Sequence, residues 1–187
     1  MKVVAGLGNP GREYDTTRHN VGWWVVDRLA YEWELGAFDR EGPTLVAKGV
    51  LGESEVLLVK PTSYMNRSGN ALRGRLAQDG VDPSTDLLVV VDDAALEVGR
   101  VRFRARGSAG GHNGLRSVEE ALGTSEYARL RLGVGSAPPG WGLKEWVLSE
   151  MDEKDEDVIV ALLPELAEAI GAWVQEGIEP TMNRFNR

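Results

Sequence analysis

The chain has 187 residues, 42% hydrophobic and 27% charged, with a net charge of −8; this suits one domain spanning 1–187, with a full-sized core and no linker. It has no cysteine, which excludes disulfides, a thiolate metal site and a cysteine nucleophile. No apolar run approaches the roughly 20 residues that cross a bilayer, and the opening MKVVAGLGNP lacks the apolar core and cleavage site of a secretory leader, so no membrane contact and a cytoplasmic location are expected.

Lys2 to Gly8 is a short apolar run ending in glycine, the pattern of a buried strand. Thr16 or Thr17 is placed to cap a following helix that carries Val21, Trp24, Val25, Leu29 and Trp33 at helical spacing. Thr44 to Gly52 and Glu55 to Lys60 read as two strands joined by a tight turn, and Pro61 stops the second. Asn66 to Gln78 reads as a helix. Asp86 to Val91 is the clearest buried strand, and it ends on Asp92-Asp93. Arg100 to Arg106 alternates arginine with Val101, Phe103 and Ala105, so it is a strand with one basic face. Asn113 to Leu122 is helical, and Ala128 to Gly135 is another alternating strand. A long helix from about Asp155 to Glu176 contains Pro164, which should kink or split it. Its acidic start, Asp152 to Asp157, reads as a solvated helix N-terminus. Strands and helices interleave, so the expected fold is α/β: a single three-layer α/β/α domain with a mixed, mostly parallel twisted sheet.

The chain has two histidines, and each is followed by asparagine: His19-Asn20 and His112-Asn113. Both pairs sit beside glycine-rich loops that follow strands. Histidine is the side chain whose ordinary pKa lies nearest neutrality, so any general base starts from these two. Asp92 lies at the carboxyl end of a strand, where open α/β sheets place their ligands. It can accept a hydrogen bond from one nitrogen of His19 and leave the other to take a proton from water. Asn9, Asn66 and Asn113 lie in or beside turns, where their amides can serve a carbonyl or a developing oxyanion. The plainer reading of each is a turn or helix cap.

Other motifs fail on context. Gly6-Leu7-Gly8-Asn9-Pro10-Gly11 fits G-x-G-x-x-G, but Pro10 and the stretch to Thr16 stand where a dinucleotide-binding helix should begin. Val89 to Asp93 resembles the acidic strand of a nucleotide triphosphatase without the phosphate loop. There is no G-x-S-x-G elbow, and two distant histidines without cysteine make a poor zinc site. No metal and no cofactor are expected. The arginines at 100, 102, 104 and 106 can meet phosphates despite the acidic whole, because screening limits each charge to about 8–10 Å; a solvated strand face is the plainer reading.

Taken together, GLGNPGREYDTTRHNVGWWVVDRLA, KPTSYMNRSGNAL, VVVDDAALEVGRVRFRARGSAGGHNGLRSVEEALGT and YARLRLGVG resemble bacterial peptidyl-tRNA hydrolases, in order and at similar spacing, over roughly residues 2 to 150. The resemblance implies a cytoplasmic monomer, with no metal and no obligate protein partner, that cleaves the ester between a peptide and the 3′ ribose of tRNA. It implies His19 as the catalytic base, Asp92 as the group that keeps it basic, and Asn9 as the residue that separates peptidyl-tRNA from free aminoacyl-tRNA. Tyr14, Tyr64, Asn66 and Asn113 correspond to substrate-contacting positions, Gly110 and Gly111 to the loop beside the cleft, and Arg102, Arg104 and Arg131 to basic positions that meet tRNA. His112 is expected to pack in its loop rather than act as a second base, and Asn20 to start a helix or support its neighbours. The chain departs from the family at Asp92-Asp93-Ala94-Ala95, where a further acid is common. The alternative is an inactive RNA-binding protein on the same scaffold.

Overall fold

The computed structural model describes residues 1–186. Its strands are β1 (Lys2–Gly6), β2 (Asp39–Glu41), β3 (Thr44–Leu51), β4 (Ser54–Pro61), β5 (Leu87–Asp93), β6 (Val101–Arg104) and β7 (Ala128–Gly133). The helices are α1 (Val21–Glu32), α2 (Ser68–Asp79), α3 (Pro83–Asp86), α4 (Asn113–Leu122), α5 (Leu143–Val147), α6 (Glu153–Glu176) and α7 (Ile178–Phe185). One sheet runs in the order β2-β3-β4-β1-β5-β7-β6. Its centre is parallel, with Ala5 of β1 opposite Val59 of β4 and Val89 of β5, and β5 continues parallel to β7. Both flanks are antiparallel, through β2 and β3 on one side and β6 on the other.

The period-2 alternation of the central strands sorts the core into two layers. Val4, Leu58, Leu88, Val90 and Leu130 pack with Val25 and Leu29 of α1 and with Ile159, Leu166 and Ile170 of α6. Val3, Leu57, Val59, Val89 and Val91 pack with Leu72 and Leu76 of α2 and with Leu115 and Val118 of α4. Leu87 to Val91 are buried throughout, as a strand covered on both faces requires. No helix among the described residues is long and apolar enough to cross a membrane.

Pro164 does not split α6, which is one helix through it, and a capping expectation at α1 is overturned. Pro164 and Val160, whose carbonyl the proline cannot serve, both lie on the exposed side, where water takes the freed acceptor. Neither Thr16 nor Thr17 caps α1: Asn20 holds the N-cap position without a side-chain cap bond, and the Thr17 hydroxyl donates to the Tyr14 carbonyl at 2.8 Å.

α2 and α4 meet at Gly69, where an added Cβ would fall inside the Ser117 carbonyl oxygen. Backbone cannot yield as a flexible side chain does. Gly69→Ala should therefore cost about 3 kcal/mol, at the upper end of ordinary overpacking, and lower the melting temperature by about 6–12 °C for a chain of this size. A thermal melt of the purified variant tests this; an unchanged midpoint would show that the helices can separate freely.

Candidate active site

The site gathers where the parallel strands end, the usual ligand position in an open α/β sheet. β1 delivers Asn9, the turn after β4 delivers Asn66, and β5 delivers Asp92. Asn9 is buried and locked: its backbone N–H donates to Asn20 Oδ1 at 2.9 Å, and Asn20 Nδ2 donates to the Asn9 carbonyl at 2.9 Å. Asn20 is thus a support for Asn9. The Asn9 side-chain oxygen accepts the Met65 N–H at 2.7 Å, which leaves its NH₂ for the cleft it lines.

His19 sits in the 3-10 turn Arg18–Asn20 before α1 and is 8% exposed. Its Nδ1 lies 2.8 Å from Asp92 Oδ1. With Nδ1–H donating to the carboxylate, Nε2 is left unprotonated, the tautomer a base needs. Asp92 is 2% exposed. Burial alone would raise its pKa, but His19 and His112 outweigh burial and hold the carboxyl well below its usual range.

His112 departs from expectation. It is the N-cap of α4, its Nδ1 accepting the N–H groups of Gly114 at 3.1 Å and Leu115 at 3.3 Å. Its Nε2 lies 2.7 Å from the same Asp92 oxygen. An Nδ1 that accepts must leave the proton on Nε2, so His112 is a neutral donor to Asp92. It joins the polar network rather than merely packing in its loop, because the helix start and the strand end bring its two nitrogens to opposite partners. The two imidazole centroids are 5.1 Å apart. His19, Asp92 and His112 are close enough together to suggest metal ligation. The capped Nδ1 argues against it, since the His112 nitrogen facing the others carries a proton.

A cleft of about 750 Å³ opens over this network. Asn9, Tyr14, His19, Tyr64, Asn66, Asp92, Asn113 and Arg131 all line it, as do Gly110 and Gly111. Tyr14 and Tyr64 meet edge to face, 6.4 Å between centroids. Ala94 and Ala95 also line it, and Asp93 turns back to accept the Ala95 N–H at 2.8 Å.

Arg102 and Arg104 stand elsewhere, half-buried and exposed on the edge strand β6. β6 is shorter than the arginine pattern suggested and excludes Arg100 and Arg106. Arg102 lies opposite Arg131 in the sheet register. Arg131 Nη2 donates to the Ser108 carbonyl at 2.9 Å. Arg129, from the same basic run, is 0% exposed and clamps the Gly107 and Ser125 carbonyls at 2.6 and 2.9 Å, so it braces the glycine loop from inside.

Sequence reasoning missed the far wall: α5 and the residue after it supply Leu143, Lys144, Val147 and Leu148 to the cleft. The available signal was Leu143, Trp146 and Val147 at i, i+3, i+4, a single turn of amphipathic spacing.

A family model described as peptidyl-tRNA hydrolase matches residues 3–187. A curated peptidyl-tRNA hydrolase of Gemmatimonas aurantiaca is 42% identical, with all of both chains covered. One of Bacillus subtilis is 41% identical, with 100% of this chain and 98% of the relative covered. The crystal structure of peptidyl-tRNA hydrolase from Acinetobacter baumannii is 28% identical and superposes with a TM-score of 0.89, covering 100% of this chain and 94% of that one. With a family model matched across residues 3–187 and curated relatives covered over essentially their whole length, the chain belongs to the peptidyl-tRNA hydrolase family.

Proposed function

We propose that the protein hydrolyses the ester between peptide and tRNA in peptidyl-tRNA, releasing tRNA for reuse. The observation that carries the mechanism is the buried His19–Asp92 pair at 2.8 Å. His19 Nε2 takes a proton from water as that water attacks the ester carbonyl; Asp92 faces the imidazolium that forms. Collapse of the tetrahedral intermediate sends the proton to the departing ribose oxygen. The amides of Asn9, Asn66 and Asn113 hold the ester and its oxyanion, while Tyr14 and Tyr64 flank the entrance. Asn9 also offers a reason for selectivity. A neutral amide can bond a peptide group but does not compensate the desolvated ammonium of a free aminoacyl ester. Incubation with peptidyl-tRNA and aminoacyl-tRNA side by side tests the reading: only the first should be cleaved, and equal cleavage of both would refute it.

Arg131 at the cleft, with Arg102 and Arg104 on β6, forms the surface offered to tRNA phosphates. Replacing Arg102 and Arg104 together should raise KM for peptidyl-tRNA and reduce the salt slope by about 0.7–0.9 for each phosphate no longer neutralised. A minimal ester without the tRNA body should be hydrolysed as before. Equal losses on both substrates would mean that the two arginines only support the strand. We read residues 1–187 as one domain acting as a cytoplasmic monomer, without metal, cofactor or protein partner. Binding without hydrolysis has no observation in its favour, since a pure binder gains nothing from a buried carboxylate shared by two imidazoles.

A further inference from the structure

Arg18 precedes the proposed base in sequence and is itself 2% exposed. Its Nη1 donates to Ser149 Oγ at 2.7 Å and to the Glu150 carbonyl at 2.8 Å. Its guanidinium carbon lies 3.4 Å from the centroid of the Trp146 ring, a close cation–π stack. Nη2 comes within 4.0 Å of Asp155 Oδ2 in the first turn of α6. Around it the two segments are zipped by backbone: Arg18 N–H to the Ser149 carbonyl at 3.3 Å and Met151 N–H to the Thr16 carbonyl at 3.1 Å. Trp146 is tied further by its indole N–H, which donates to the Gly135 carbonyl at 2.8 Å, and by Trp141, which meets its ring edge to face with 5.8 Å between centroids.

α5 has only five residues, far below the length at which a helix holds itself. Residues 139–145 are exposed, so little core packing fixes it. Its place depends on Trp146, the neighbouring Val147 and the 149–151 zipper, and Arg18 touches the first and the last of these at once. Yet α5 with Leu148 forms the wall that gives the cleft Leu143, Lys144, Val147 and Leu148. Three of these four side chains, Leu143, Val147 and Leu148, are apolar and suited to an amino-acid side chain; Lys144 is the one cation among them and is exposed.

We propose that Arg18 is a positioning residue that fixes α5 as the apolar wall against which the side chain of the esterified amino acid packs. The proposal rests on the reading of the cleft as a peptidyl-tRNA ester site. The role needs arginine: one planar group stacks on an indole through its face while its edge donates to two acceptors, and an ammonium offers no such plane. The aspartates at the start of α6 acquire a purpose as well. Asp152 caps the helix by accepting the Asp155 N–H at 2.8 Å, and Asp155 faces the guanidinium.

The test compares Arg18→Lys, Trp146→Ala and the milder Ser149→Ala in the full chain. Two substrates are used, N-acetylphenylalanyl-tRNA and N-acetylglycyl-tRNA. For the phenylalanyl ester, Arg18→Lys and Trp146→Ala should raise KM about tenfold with kcat within about threefold, the pattern of lost binding shared by ground and transition states. For the glycyl ester, which has no side chain to place, KM should change by less than about twofold. Ser149→Ala should shift KM in the same direction by a smaller factor, and it keeps the test open if the stronger variants fold poorly. Amide exchange should show faster exchange over 143–151, with β1 and β5 unchanged. Equal KM shifts on both esters, or a fall in kcat alone, would overturn the proposal, as would unaltered exchange in the wall. Failure of the wild type to cleave either ester would instead refute the hydrolase reading, and so is told apart from failure of the wall.

Discussion

His19→Ala should lower turnover of peptidyl-tRNA by about 10²–10⁴-fold, the usual contribution of a positioned general base. Binding of tRNA should persist, because the arginines at 102, 104 and 131 are untouched. Folding should persist too. Asp92 keeps the His112 donor at 2.7 Å, so the substitution does not strand a buried carboxylate, and His19 lies at the cleft rather than inside either apolar layer. The result is read from single-turnover rates beside an equilibrium binding curve. Retention of more than about a tenth of the wild-type rate would remove His19 from the chemistry.

The second large effect is expected from Asp92→Asn. In the wild type both imidazole N–H groups converge on one oxygen, Oδ1. An asparagine carbonyl can accept both, so the variant keeps the tautomers and loses chiefly the charge. Charge-assisted hydrogen bonds are about twice as strong as neutral ones, which puts the loss of rate at ~10–10²-fold. Without an anion to face, the imidazolium is less favoured, and the acid limb of the pH–rate profile should move to lower pH. An unshifted limb would show that Asp92 only orients the ring. The same carboxylate bears on stability. Its native pKa is depressed, so its contribution to folding is full above the ordinary carboxylate value of about 4 and is lost as pH falls towards the native one. Between pH 5 and 8, therefore, Asp92 should add nothing to the pH dependence of the melting temperature.

Much of this was legible in the residues because the site is made at strand ends. Apolar runs that stop at glycine or aspartate mark both the sheet and its carboxyl edge, so Asp92 is legible as a strand-end partner for His19. G-x-G-x-x-G also found its meaning in packing: an added Cβ at Gly6 would strike the Gly22 carbonyl, and one at Gly22 the Val90 carbonyl. The glycines let α1 sit against β1 and β5. What escaped depends on partners far along the chain. His112 looks like a loop residue until α4 takes its Nδ1 and β5 meets its Nε2. α5 is too short to show a period, and β2 has only three residues, all polar, two of them exposed and Glu41 half-buried. Arg129 and Arg131 share a motif and a strand face, yet one is sealed inside and the other lines the cleft; only the depth of the glycine loop separates them.

The edge of the sheet at β6 is closed in an unusual way. The Asn186 side chain accepts the Phe103 N–H at 2.5 Å and donates to the Phe103 carbonyl at 3.1 Å, standing in for one residue of a missing strand. An unpaired strand edge is a template for another chain. During synthesis β6 is made more than eighty residues before its cover. Until residue 186 has been made, the outward N–H and C=O of Phe103 lack that partner.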